Sequence, residues 1–146
     1  MREPVILEAV RTPFGRRGGA FRETRPDVLL SLALKGLAER SGIDPAKIED
    51  VVTGCVTQAG EQSNNIARHA WLSAGKTFKA GGTTVDTQCG SSQQANHLVR
   101  ALVAAGSIDM GIACGLEMMS HVGLGANAIH GPGYFQTPNW PWDQAP

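Results

Sequence analysis

At 146 residues, 42% of them hydrophobic and 18% charged, the chain has apolar side chains enough for one modest core. Thirteen basic and thirteen acidic residues cancel, which excludes the basic excess of a nucleic-acid binder. Cys55, Cys89 and Cys114 are odd in number, far apart and free of any C-x-x-C pair, which argues against a disulfide scaffold or a zinc site and for a reducing interior.

Pro4–Val10 (PVILEAV) reads as a first strand, ended by Arg11-Thr12-Pro13-Phe14-Gly15, where proline removes a ladder donor and glycine permits a turn. The N-terminus lacks the pattern of a signal peptide, because Glu8 and Arg11 break its apolar run, and no apolar run approaches membrane-spanning length. The expectation is a cytoplasmic protein without a membrane partner. A polar loop from Arg16 to Arg25 precedes a helix opened by Pro26 and Asp27 and closed by Gly42. Its leucines (Leu29, Leu30, Leu32, Leu34, Leu37) make it apolar nearly all round, so burial on more than one side is expected.

One helical turn is expected at Pro45–Ile48, a second strand at Val51–Val56 and a polar turn at Gly60–Asn65, with Ser63 as helix cap. Ile66, Ala67, Ala70, Trp71 and Ala74 then recur with helical period up to Gly75. A third strand is expected at Gly82–Asp86 and a last one at Met110–Leu116. Strands alternating with helices imply a parallel sheet with right-handed crossovers, and near-continuous apolar strands imply that both its faces are covered.

Between the last two strands lies the stretch that bears chemistry. Cys89 follows the third strand and opens a segment with apolar residues at Ala95, Leu98, Val99, Leu102 and Val103, stopped by Gly106. A cysteine at a strand-to-helix junction meets free N–H groups and the positive end of the helix dipole, both of which favour thiolate over thiol. Gly90, Ser91 and Ser92 leave little bulk around the sulfur. On position alone an inert packing cysteine stays open, since cysteine is among the most buried residue types. Cys55 and Cys114 fall inside expected strands and read as packing residues.

Other motifs fail. Gly75-Lys76-Thr77 lacks the earlier glycine of a phosphate loop, which would fall at Ala70. G-x-G-x-x-G does not follow the first strand, and G-x-S-x-G is missing. His69 and His97 lie within expected helices and read as structural or surface residues, whereas His121 or His130 could pair with Cys89, although no spacing says so. After Glu117 the chain turns to glycine, proline and aromatics without period (Tyr134, Phe135, Trp140, Trp142), which suggests two units, 1–117 and 118–146.

Five runs together resemble the thiolase family, the acetyl-CoA acetyltransferases and 3-ketoacyl-CoA thiolases. They are Ala9–Gly15, Gly54–Glu61 (G-C-V-x-Q-x-G-E), Asn65–Arg68, Cys89–Ala95 and Gly115–Ser120, in family order across residues 4 to 121. Ser92 and Gln93 replace the glycine and leucine usual after the cysteine, and the runs Gly60–Asn65 and Ser91–Asn96 look most like actinobacterial thiolases that include steroid side-chain degraders. The Gln93-Gln94-Ala95 and Glu117–Ser120 runs favour thiolase over a ketoacyl synthase.

The resemblance implies an α/β thiolase-like fold whose first, βαβαβαβ half carries a mainly parallel sheet covered by helices. Cys89 is then the nucleophile that becomes acylated, with its own backbone N–H as an oxyanion donor. Acyl-CoA and coenzyme A are implied as substrates, with no bound cofactor and no metal, in homo-oligomers (dimers or tetramers) of the full-length enzyme. Residues 118–146 would begin the loop domain that covers the site. The family's N-x-x-G-G, G-H-P and C-x-G-x-G motifs, which supply an oxyanion-hole asparagine, the activating histidine and a second cysteine, do not occur in these 146 residues. The chain by itself is therefore expected to turn over poorly, and the alternative is a remnant that binds acyl-CoA or associates without catalysis. An exposed sheet edge and a half-covered Cys89 helix, with Leu98 or Leu102 facing water, are expected to promote association.

Overall fold

The structure, a computed structural model, describes residues 2–129 and 131–134. Pro26–Ser41 forms helix α1, Asp50–Gly54 strand β1, Ile66–Ser73 helix α2 and Gly81–Val85 strand β2. Ser91–Ala105 forms α3, Gly111–Gly115 β3, and Ala126–Ile129 the single turn α4, which no sequence periodicity announced. Single 3-10 turns occupy Pro45–Lys47 and Gly60–Gln62.

Local chemistry explains most of these limits. Pro26 sits in the first turn of α1, where its missing N–H costs nothing, and Gly42 ends the helix at φ 66° with its N–H on the Ala38 carbonyl. Gly106 closes α3 in the same left-handed way, at φ 75°. The cap of α2 is Asn65, not Ser63. Asn65 adopts φ 60°, a conformation asparagine tolerates, its Oδ1 accepts from Arg68 N at 3.2 Å, and its Nδ2 donates to the Gly82 carbonyl at 2.8 Å. Ser63 spends its hydroxyl on the Gly60 carbonyl at 2.6 Å instead.

The three strands are all parallel, in the order β2-β1-β3, with Val52 opposite Thr83 on one side and Ala113 on the other. The chain steps from β1 outward to β2 through α2, then back past β1 to β3 through α3. Two right-handed crossovers in opposite directions place the two helices on opposite faces of the sheet. Side chains of a strand alternate between faces, so Val51 joins Ile112, Ala70, Trp71, Leu30 and Leu34 in the core under α1 and α2. On the opposite face α3 lies against β1 and β3. It comes close because Gly54 and Gly115 have no side chain: a Cβ on Gly54 would overlap the Ser91–Ser92 peptide, and one on Gly115 would overlap the Ser92 side chain.

Three expectations need correction. Pro4–Val10 joins no sheet. It is held by its charged ends, Arg2 paired with Asp109 and Glu8 with Arg40, and it spans a groove lined by α1, α3 and β3. Val5, Ile6 and Leu7 are exposed there, since apolar strand propensity needs a ladder partner to be realised. Only β1 is buried along most of its length; β2 and β3 are half-covered. Helix α1 is covered on one side, by α2, and leaves Val28 and Leu32 exposed, because it forms an outer layer and does not lie on the sheet.

Candidate active site

Ligands of parallel α/β sheets gather at the carboxyl ends of the strands, and here those ends meet the start of α3. Strand β2 stops at Val85, and the next residues build a tight turn. Asp86 Oδ1 accepts from Gln88 N at 2.7 Å, and Gly90 N and Ser91 N donate to the Thr87 and Gln88 carbonyls at 3.2 and 2.9 Å. Ser91 Oγ accepts from Thr87 N at 3.1 Å and donates to the Gln88 carbonyl at 2.5 Å. These bonds hold Gln88 at φ 52°, a left-handed conformation that costs a side-chain-bearing residue on the order of 1–3 kcal/mol.

Cys89 follows this strained residue and is exposed. It stands one residue ahead of the helix cap, Gly90, and two ahead of the first helical residue, Ser91. The sequence placed it at the opening of the helix itself. The difference arises because the Thr87–Ser91 bonds capture the turn first, and the first helical bond runs from Gln94 N to the Gly90 carbonyl at 2.9 Å. The Cys89 N–H meets no acceptor among the described residues, and the first-turn amides of a helix have no partner of their own. An exposed sulfur, unpartnered amides and the positive end of a 15-residue helix thus share one rim.

The other thiols differ. Cys55 is buried one residue beyond β1, and burial, reinforced by the Glu117 and Asp86 carboxylates, pushes its thiol up to about 12. Burial pushes Cys114 up to about 11, partly offset by the Thr53 hydroxyl 3.0 Å away. Both are protonated packing residues near neutral pH.

A second feature of the rim escaped sequence reading. Glu117 accepts from Val56 N at 2.8 Å, Thr57 N at 3.3 Å and Gln62 Nε2 at 3.0 Å. Gln62 in turn accepts from Met118 N at 2.6 Å. One carboxylate therefore ties the loop after β1 to the loop after β3. Glu117 and Gln62 lie far apart in the sequence, and nothing in their spacing signals the contact. The histidines do not approach this arrangement. His69 and His97 are exposed on α2 and α3. His121 is engaged by Glu61 and the Arg22 carbonyl, and His130 lies outside the described residues.

The described residues form a parallel α/β unit with one exposed cysteine on a strand-to-helix turn. Residues 4–136 match the family described as "Thiolase, N-terminal domain", and the chain belongs to that family. It is 45% identical over 122 residues to the "Steroid 3-ketoacyl-CoA thiolase FadA6" of Mycobacterium tuberculosis, covering 84% of this chain and 30% of that protein. It is 44% identical over 124 residues to a "3-ketoacyl-CoA thiolase" of Idiomarina loihiensis, covering 84% and 32%. A Vibrio vulnificus protein of the same name is 41% identical over 135 residues, covering 91% and 35%. The chain spans about a third of the length of these relatives. Among the described residues no helix is long and apolar enough to cross a membrane.

Proposed function

We propose that the protein serves thiolase-type acyl transfer, with Cys89 as the nucleophile and coenzyme A thioesters as substrates. The Cys89 thiolate attacks the keto carbonyl of a 3-ketoacyl-CoA, and the oxyanion accepts a hydrogen bond from the Cys89 N–H. Collapse breaks the C–C bond, releases acetyl-CoA once its carbanion is protonated, and leaves the shortened acyl group on sulfur. The thiolate of a second coenzyme A then takes that acyl group and regenerates Cys89. Forming a thioester on the enzyme splits one hard step into two easier ones, and preorganised amides aimed at the developing charge lower both barriers. The reverse sequence is a Claisen condensation.

The observation that carries this reading is the exposed Cys89 sulfur beside its own unpartnered N–H at the start of α3. The relatives named as 3-ketoacyl-CoA thiolases support the substrate class. The activating histidine and the second cysteine belong, in this reading, to family motifs that these 146 residues do not contain. The covering segment expected over residues 118–146 falls in good part (130 and 135–146) outside the described residues. The enzyme works in the cytoplasm as a homo-oligomer, without bound cofactor or metal. The test is acid-quenched mass spectrometry after incubation with a 3-ketoacyl-CoA. An acyl adduct on the Cys89 peptide, lost in Cys89→Ala, is expected; an adduct on Cys55 or Cys114 would overturn the assignment.

A further inference from the structure

His121 offers an observation that the acyl-transfer reading leaves unused. Its Nδ1 lies 2.8 Å from Glu61 Oε2 and its Nε2 lies 2.7 Å from the Arg22 carbonyl oxygen. A carboxylate and a carbonyl both accept. A neutral imidazole carries one N–H and can serve one of them, leaving a lone pair against the other oxygen; the imidazolium, with two N–H groups, serves both. The side chain is half-buried between its two partners.

We propose that His121 is a pH-sensitive clamp: as the imidazolium it ties the Gly18–Arg25 loop to the segment leaving β3, and its deprotonation releases that loop. The loop is joined to this segment by one further hydrogen bond, Gly18 N to Ser120 Oγ at 3.1 Å, among the described residues. The charges around the ring favour the closed state. From the Gly60–Gln62 turn comes Glu61, whose other oxygen pairs with Arg25 at 3.0 Å; Arg25 also holds Asp27 of α1 at 3.0 Å. From the loop come Glu23 and the guanidinium of Arg22, paired with each other at 3.2 Å. The hydrogen bond to Glu61 raises the His121 pKa above the ordinary 6.5, with smaller help from the Arg22 carbonyl and the Glu61 and Glu23 charges, against desolvation. With the folded value raised, the clamp is fully formed below pH 6.5 and is lost as pH climbs through the folded value.

The test is an NMR titration of the protein across about pH 5 to 9. His121 is identified among the four histidines as the signal missing in His121→Gln. We expect its midpoint above 6.5, a lower midpoint in Glu61→Gln, and backbone amide shifts of Gly18, Arg22 and Ser120 that inflect at the His121 midpoint. Those amide inflections disappear in His121→Gln. A midpoint at or below 6.5, or amides that ignore the titration, would overturn the clamp. Should His121→Gln not fold, the histidine signal that Glu61→Gln displaces marks His121, and its wild-type midpoint and the amide inflections still decide.

Discussion

Three cysteines in one small domain differ through their surroundings, and this difference can be measured. With Cys55 at about 12 and Cys114 at about 11, at pH 8 on the order of one molecule in 10⁴ and one in 10³ carries the respective thiolate. Iodoacetamide at pH 8 should therefore alkylate Cys89 alone in the folded protein and all three cysteines after denaturation, as read by peptide mass spectrometry. These two thiols, Cys55 buried and Cys114 half-buried, also set a pH limit. Unfolded, they ionise near 9.0; folded, they hold their protons to about 11 and 12. The native state therefore binds more protons than the unfolded state in this window. Their contribution is complete below pH 9 and declines as pH rises from 9 towards 12, so Tm should fall across that range, and Cys114→Ala should flatten part of the fall. Cys55 and Cys114 were legible as packing residues from their places in apolar strand runs. The strained φ of Gln88 was not, because nothing about glutamine announces a left-handed conformation.

At the scale of elements, the seat of Cys89 depends on how near α3 lies to the sheet. Gly54 faces the Ser91–Ser92 backbone, which cannot turn aside as a side chain can. Gly54→Ala should therefore push the start of α3 off β1, costing about 1–3 kcal/mol as read in a denaturant titration and slowing Cys89 alkylation. At Gly115 the obstacle is the Ser92 hydroxymethyl group, so Gly115→Ala should cost less, and Ser92→Gly beside it should recover part of the loss. Helix ends marked by Pro26, Gly42 and Gly106 were readable because each acts locally. The cap of α2 was not, since Ser63 and Asn65 are both good caps and the choice between them rests on Gly82, a partner 17 residues from Asn65. The first strand failed for a related reason. Its apolar pattern is genuine, but pairing is a tertiary event, and in the structure its charged ends hold it across the groove.

For the molecule as a whole, the parallel α/β architecture followed from the alternation of strand and helix patterns, and the order β2-β1-β3 did not, because sequence gives succession and not adjacency. The outcome leaves both outer strands half-covered, with Val5, Ile6, Leu7 and Phe14 exposed. Apolar area of this kind drives association. Sedimentation of the 146-residue chain at micromolar concentration should show concentration-dependent growth in mass, and Ile6→Lys with Leu7→Lys should reduce it; a clean monomer at every concentration would contradict the expectation.

The Glu117 carboxylate has a consequence in time as well as in space. Its bonds to Val56 and Thr57 reach across 61 and 60 residues, so the loop beside Cys55 cannot settle until the last strand has been synthesised and added. Local helices form early and contacts between distant residues late. On a nascent chain Cys89 would thus emerge before the loops after β1 and β3 are tied together.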